Sequence, residues 1–185
     1  MQIETQRKLF TADEYYRMAE AGILGTEERL ELIDGEIIKM TPLGDRHMAG
    51  VNRLNYLFEG ALHGKVIVSV QNGLRLNDFN VPQPDFVLLP FRSDFYKNGF
   101  RTKDALLVVE VSDTTLRMDS KVKLPRYAMA GVVEVWIEDL KGDKLFVYRN
   151  PEGREYKTVK ILRRGDMVSV AAFPKVVFKV ADILG

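Results

Sequence analysis

The chain has 185 residues, 46% apolar and 29% charged, with a formal net charge of +1. That is the make-up of one ordinary globular domain over 1–185, and bulk charge neither favours nor excludes a polyanionic partner, so a nucleic-acid surface has to be a local patch. Cysteine is absent and the histidines are only His47 and His63, which excludes disulfides, thiolate zinc centres and cysteine nucleophiles and leaves oxygen as the donor for any metal, pointing to Mg2+ or Mn2+.

Along the chain, MQIETQRKLF holds no signal-peptide apolar region and no run approaches membrane-spanning length, so the expected compartment is the cytoplasm and no membrane partner is expected. Thr11-Ala12-Asp13-Glu14 reads as a capping box that opens a helix running to about Ala21, with Gly22 ending it. Leu30 to Met40 alternates around Asp34-Gly35, a tight-turn signal that predicts a short hairpin. From about Arg46 to Leu62, Met48, Val51, Leu54, Leu57, Phe58 and Leu62 keep helical spacing.

The character then changes. Val66 to Val68, Leu74 to Leu76, Phe86 to Leu89 and Leu106 to Val111 are short β-branched runs expected as strands, the last two buried on both faces of a central sheet. A short helix should end near Ala130-Gly131. Val133 to Ile137 is a further strand, and Lys144 to Tyr148 with Tyr156 to Ile161 should form a C-terminal meander. The order predicts an α+β fold: a central mixed β-sheet flanked by helices, followed by a β meander.

Chemistry concentrates in one place. Asp85 starts one apolar run and Glu110 closes another, while Lys123 follows on a helical stretch. Carboxylates on neighbouring strands can hold a hard divalent cation, which lowers the pKa of a bound water and stabilises charge building on a phosphate. An ammonium nearby can position the attacking water. Each piece has a plainer reading: Asp85 as a turn residue after Pro84, Lys123 as a surface lysine. Glu110 is harder to dismiss, because a carboxylate buried among apolar neighbours is costly without a partner.

Pro84-Asp85 followed twenty-five residues later by Glu110-Val111-Ser112 resembles the PD-(D/E)XK nuclease superfamily. More narrowly, Glu31-Leu-Ile-Asp-Gly-Glu36, His47, Pro84-Asp85, Val109-Glu110-Val111-Ser112, Asp119-x3-Lys123-x3-Tyr127 and Gly131-Val-Val-Glu-Val-Trp136 resemble the Uma-type family of restriction-endonuclease-like proteins, over about residues 9 to 140. The resemblance implies a restriction-endonuclease-like core and an Mg2+- or Mn2+-dependent endonuclease acting on nucleic acid, DNA first. It implies Asp85 and Glu110 as metal ligands, Lys123 as the catalytic lysine and Glu31 as an accessory carboxylate. The superfamily's lysine normally lies two residues after the second carboxylate, where this chain has Ser112, so Lys123 takes that role from the following helix. Pro125 places Lys123 on the first turn of that helix or just before it.

Several rivals stay open. Lys121 competes with Lys123, and Asp34 and Glu36 with Glu31; the tight turn claims Asp34. His47, Gln71 and Ser112 are possible accessory residues, while Trp136 and Tyr127 read as core. The stretch Phe91 to Lys103 interleaves Arg92, Lys97, Arg101 and Lys103 with aromatic residues and joins the two ligand-bearing strands. It reads either as a nucleic-acid contact or, with the edge given by so few basic residues, as a solvated lid. Beside the nuclease stand two alternatives: a catalytically weak or inactive nucleic-acid-binding module on the same scaffold, and a self-associating protein whose aromatic loop and meander form a homodimer face.

Overall fold

The computed structural model describes residues 6–25 and 27–185. Helix α1 (Ala12–Glu20) begins at the expected capping box, where Glu14 N–H donates to Thr11 Oγ1 at 3.2 Å and Thr11 N–H donates to Glu14 Oε2 at 2.8 Å. Strands β1 (Leu30–Ile33) and β2 (Glu36–Lys39) form a two-stranded antiparallel hairpin. Its turn residues Asp34 and Gly35 both have left-handed φ, 50° and 78°, the backbone that a tight hairpin turn requires. Helix α2 spans Asp45–Leu62.

Six further strands make the central sheet: β3 (Val66–Val70), β4 (Phe86–Pro90), β5 (Leu107–Ser112), β6 (Glu134–Asp139), β7 (Lys144–Glu152) and β8 (Glu155–Leu162), hydrogen-bonded in that order. Only β5 and β6 are parallel. Parallel neighbours need a crossover, and the segment carrying helix α3 (Leu124–Met129) supplies it. Both β4 and β5 are apolar and buried almost throughout, as strands covered on two faces should be.

Two cores result. On one face α2 packs through His47, Gly50, Val51, Leu54, Phe58 and Leu62, spaced three and four apart; Met48, expected on this stripe, is exposed instead. Phe58 meets Phe86, Trp136 and Phe178 with ring centroids 5.8, 6.1 and 5.7 Å away. Gly50 lies against β5: a Cβ there would come within 2.8 Å of Val111 Cγ1, so only glycine lets the helix approach this closely. The other face is covered by Tyr127, Ala128 and Val132 from the crossover and by Tyr96 and Ala105 from the connection between β4 and β5.

Two expectations need correction. Leu74 to Leu76 is not a strand: Leu74 and Leu76 donate their amides to Pro82 and Asn80, and the stretch closes on its own turn with one bridge from Arg75 to Arg101. The meander also does not finish the chain. Strands β9 (Met167–Ser169) and β10 (Val177–Lys179) and helix α4 (Val180–Leu184) follow it. They bury Val168, Phe178, Val180 and Ile183 in the α2 face of the sheet.

Candidate active site

Strands β4 and β5 are antiparallel, with Phe86 opposite Val109. Extending that register by one pair sets Asp85, just before β4, opposite Glu110. Glu110 faces the side that α3 covers, where Tyr127 and Lys123 reach it, while Asp85 turns to His47 of α2 and the Val111 amide. Both side chains are buried, Asp85 at 4% and Glu110 at 2% exposure.

Their surroundings differ. Asp85 is surrounded by donors: the Val111 amide at 2.8 Å and His47 Nε2 at 3.0 Å on Oδ2, and Gln71 Nε2 at 3.2 Å on Oδ1. Burial would raise its pKa, but His47, the Val111 amide and Gln71 together hold it below the usual carboxylate value. Gln71 reaches Asp85 from a left-handed backbone at φ 51°. With Nε2 committed to Asp85, the other ring nitrogen of His47, Nδ1, is buried without a hydrogen-bond partner.

Glu110 belongs to a second group, built around an ammonium. Lys123 Nζ lies 2.9 Å from Glu31 Oε1, 3.3 Å from Glu110 Oε1 and 3.7 Å from Asp119 Oδ1. Tyr127 O–H donates to Glu110 Oε1 at 2.6 Å. Asp119, Lys123 and Tyr127 are spaced four apart and so share a helical face. Lys121 is exposed on another side of the turn. Glu31 arrives from β1; of its local rivals, Asp34 pairs with Arg126 and Glu36 with Arg7, both at the surface.

The turn that carries Lys123 is unusual. Residues Met118–Lys123 form a π-turn that runs directly into α3. Pro125 donates no hydrogen bond, and its ring would crowd the carbonyl four residues back in a regular α-helix. A widened turn just ahead of it removes that conflict, and such turns are found mainly at functional sites. Lys123 therefore sits just before α3, as Pro125 near the helix start implied, and closes the π-turn that leads into it.

Three carboxylates share this single ammonium, and burial dominates their titration. Desolvation raises the pKa of Glu31 and Asp119 and pushes Glu110 well above its ordinary value, with Lys123 opposing it in each case. Burial alone would lower the Lys123 pKa, yet Glu110, Glu31 and Asp119 together raise it. Lys123 meets Glu31 as an ion pair without alignment, and both Glu31 oxygens lack a hydrogen-bond partner. Among the described residues no three carboxylates or imidazoles are gathered in metal-holding geometry; the cation between these acids is Lys123 itself.

Two participants were not singled out from sequence. Asp119 accepts from Ser112 Oγ at 2.7 Å and Thr115 Oγ1 at 2.6 Å. Ser112 thereby anchors the acid that faces Lys123. The signal was present in the Asp119-x3-Lys123 spacing, one helical turn. Glu138 is fully buried at the end of β6, with Arg53 donating at 3.0 Å to Oε1 and Oε2 unpaired. Desolvation pushes its pKa up to about 7 against the pull of Arg53. Arg53 comes from α2, too far along the chain for any local pattern to reveal.

A family model, Uma2, described as "Putative restriction endonuclease", matches residues 12–181. Among solved structures the chain is similar to a "putative nuclease belonging to DUF820" from Anabaena variabilis ATCC 29413, with 17% identity, a TM-score of 0.75, and 95% of this chain and 97% of that one covered. At that identity the likeness speaks for the fold alone. No curated protein matches the chain.

Proposed function

We propose, on the premise that this chain belongs to the Uma2 restriction-endonuclease family, that it is a divalent-metal-dependent endonuclease hydrolysing phosphodiester bonds in DNA. The observation that carries this reading is the buried carboxylate group answered by one ammonium. A fold built only for stability has no reason to bury acids in such excess, since unpaired buried charge costs several kcal/mol.

The donor set suits Mg2+ or Mn2+: it is all oxygen, it carries excess negative charge, and both Glu31 oxygens lack a hydrogen-bond partner. Asp85 and Glu110 would hold the ion, with Glu31 beside them. Such an ion, when bound, makes water more acidic and stabilises charge on the phosphate. The chain's own groups do the rest. His47, Gln71 and the Val111 amide keep Asp85 ionised and fixed in rotamer. Tyr127 donates to Glu110 Oε1 and Lys123 to Oε2, which fixes the carboxyl that would take a proton from the attacking water, a task helped by a pKa that burial raises. Lys123 supplies fixed positive charge as the water oxygen bonds to phosphorus and the opposite P–O bond breaks.

One observation favours a second reading, a nucleic-acid-binding module with little or no activity: Lys123 already lies among the acids that would share the metal. Incubating supercoiled plasmid with the protein and Mn2+, Mg2+ or a chelator separates the two. The nuclease reading expects metal-dependent nicking that Glu110→Gln abolishes. Binding without cleavage in either metal would support the module.

A further inference from the structure

A cleft of about 600 Å³ opens on the α3 face of the sheet, beside the carboxylates but not among them. Its floor is the edge of β3 and β4, including Ser69 and Leu89, and its walls include Tyr16, Asn72, Phe95 and Arg101. Its volume is that of a site for a small molecule or a nucleotide unit. Ser69 pairs with Val87 and Ile67 with Leu89 in the sheet. The floor therefore lies two to four residues from Asp85 along β4, roughly 7 to 13 Å at about 3.3 Å per residue. The link is covalent too, because Gln71, which donates to Asp85, is followed directly by Asn72 in the cleft wall.

The aromatic wall is held in place at a cost. Phe95 and Tyr96 are consecutive and both left-handed, with φ of 49° and 55°, a backbone that bulky residues rarely adopt and that clusters at functional sites. Tyr96 is the anchor: its hydroxyl donates to the Pro90 carbonyl at 2.9 Å, and the Arg92 guanidinium lies 4.4 Å from its ring centroid. Phe95 is the residue presented, 67% exposed, with Phe91 edge-on against it at 6.0 Å. A strained turn that buries one ring to expose the next is poorly explained by a solvated lid.

The charges are divided in the same way. Arg75 is neutralised by Asp13 and Asp78 at 2.5 and 2.7 Å. Arg101, bridged to it through the backbone, donates its amide to Asp104 at 2.9 Å, while its guanidinium makes no ion pair among the described residues. A presented aromatic ring, a free guanidinium and amide side chains such as Asn72 are the groups that bind unpaired nucleotides: the ring stacks on a base and the guanidinium meets a phosphate.

We propose that this cleft seats single-stranded nucleic acid flanking the scissile phosphate, a base stacked on Phe95 and a phosphate on Arg101, so that the enzyme prefers unpaired over duplex substrate. The inference rests on the nuclease reading for the position of the scissile bond, but it is tested without cleavage. Fluorescence anisotropy with a labelled oligothymidylate and a duplex of equal length, in chelator, gives the two affinities. The wild-type chain binds the single strand more tightly. Phe95→Ala weakens single-strand binding about tenfold and duplex binding little, while Phe95→Trp retains it, which separates lost stacking from misfolding. Arg101→Ala weakens single-strand binding and lowers its salt slope by about one; Lys160→Ala, on the distant strand β8, leaves the preference for single strand unchanged. Equal affinity of the wild type for both forms, or an unchanged Phe95→Ala, overturns the proposal, as does Phe95→Trp losing as much as Phe95→Ala. If the preference holds while no metal supports cleavage, the nuclease reading fails and the cleft stands. If cleavage proceeds while Phe95→Ala binds like wild type, the cleft alone fails.

Discussion

Strand β6 and its parallel neighbour β5 both carry buried glutamates, of which Glu134 and Glu110 are treated in opposite ways. Glu134, at the start of β6, is fully buried and fully answered. Arg149 donates Nε at 2.7 Å and Trp136 donates Nε1 at 2.8 Å to its Oε1, and the Ala171 amide donates at 2.6 Å to Oε2. One carboxylate meets one guanidinium and two neutral donors, and the result ties β6 to β7 and to the segment after β9. Glu110 on β5 instead shares one ammonium with Glu31 and Asp119. The difference teaches how to tell a structural acid from a working one: the first has its charge cancelled within the fold, the second is left with a surplus that protons or a cation must cover.

The sharpest way to break the comparison is to remove the ammonium from the surplus group and the carboxylate from the balanced one. Lys123→Met leaves three buried acids unanswered and should cost about 4 kcal/mol near pH 8. That loss should shrink as the pH falls. Without Lys123 the folded-state pKa values of these carboxyls rise further above their unfolded values, so their contribution is fully present at low pH and is lost as pH rises. Glu134→Ala should cost about 3 kcal/mol by leaving Arg149 without its carboxylate, with no such trend between about pH 5 and 8, because it leaves no unanswered buried acid behind. Chemical denaturation of both variants across pH checks the pair.

Glu138 should show the surplus in the native protein. Its carboxyl is held near 7 rather than 4.5. A raised folded pKa stabilises below the unfolded value, so stability should fall by about 3 kcal/mol as pH rises from about 4.5 to about 7. Glu138→Gln should flatten this part of the stability–pH curve; an unchanged slope would assign it to other groups.

Smaller effects sharpen the contrast further. Glu110→Gln relieves like-charge repulsion and should leave the metal-free protein as stable as wild type or about 1 kcal/mol more so, while abolishing cleavage. Thermal melts in chelator read this, and a large loss of stability would class Glu110 with Glu134. Arg126→Ala removes the pairing with Asp34 that fixes the hairpin carrying Glu31 to α3. Because Asp34 is exposed, the cost should be about 0.5 kcal/mol. Lys121→Ala should be silent in both stability and cleavage.

Much of this was legible in the sequence, and the reasons are local. The capping box at Thr11, the Asp34-Gly35 turn and the apolar runs ending at Leu89 and Val111 are short-range signals with a definite conformational meaning. The four-residue step from Lys123 to Tyr127 puts both on one helical face, and both side chains meet Glu110. Pro125 marked the start of α3 with Lys123 just before it, but no local rule announces the π-turn that precedes them. The C-terminal strands and α4 are too short to show periodicity. Glu138 escaped notice because its partner Arg53 is distant in sequence, whereas Asp119 was within reach through its four-residue step to Lys123. Sequence pattern singled out Glu31 and Glu110; only the fold revealed that Asp119 joins them around one cation.

The central claim is that this surplus of buried negative charge exists to take a divalent metal. Calorimetric titration of Mn2+ into the wild-type chain near pH 8, in two buffers of different ionisation enthalpy, tests it most directly. The account predicts binding at a single class of site accompanied by proton release, since carboxyls with raised pKa values must give up protons to a metal. Binding should be lost in Asp85→Asn and Glu110→Gln and unaffected by Glu134→Gln. A wild-type chain that takes up no Mn2+, or one whose uptake survives Glu110→Gln, would contradict it.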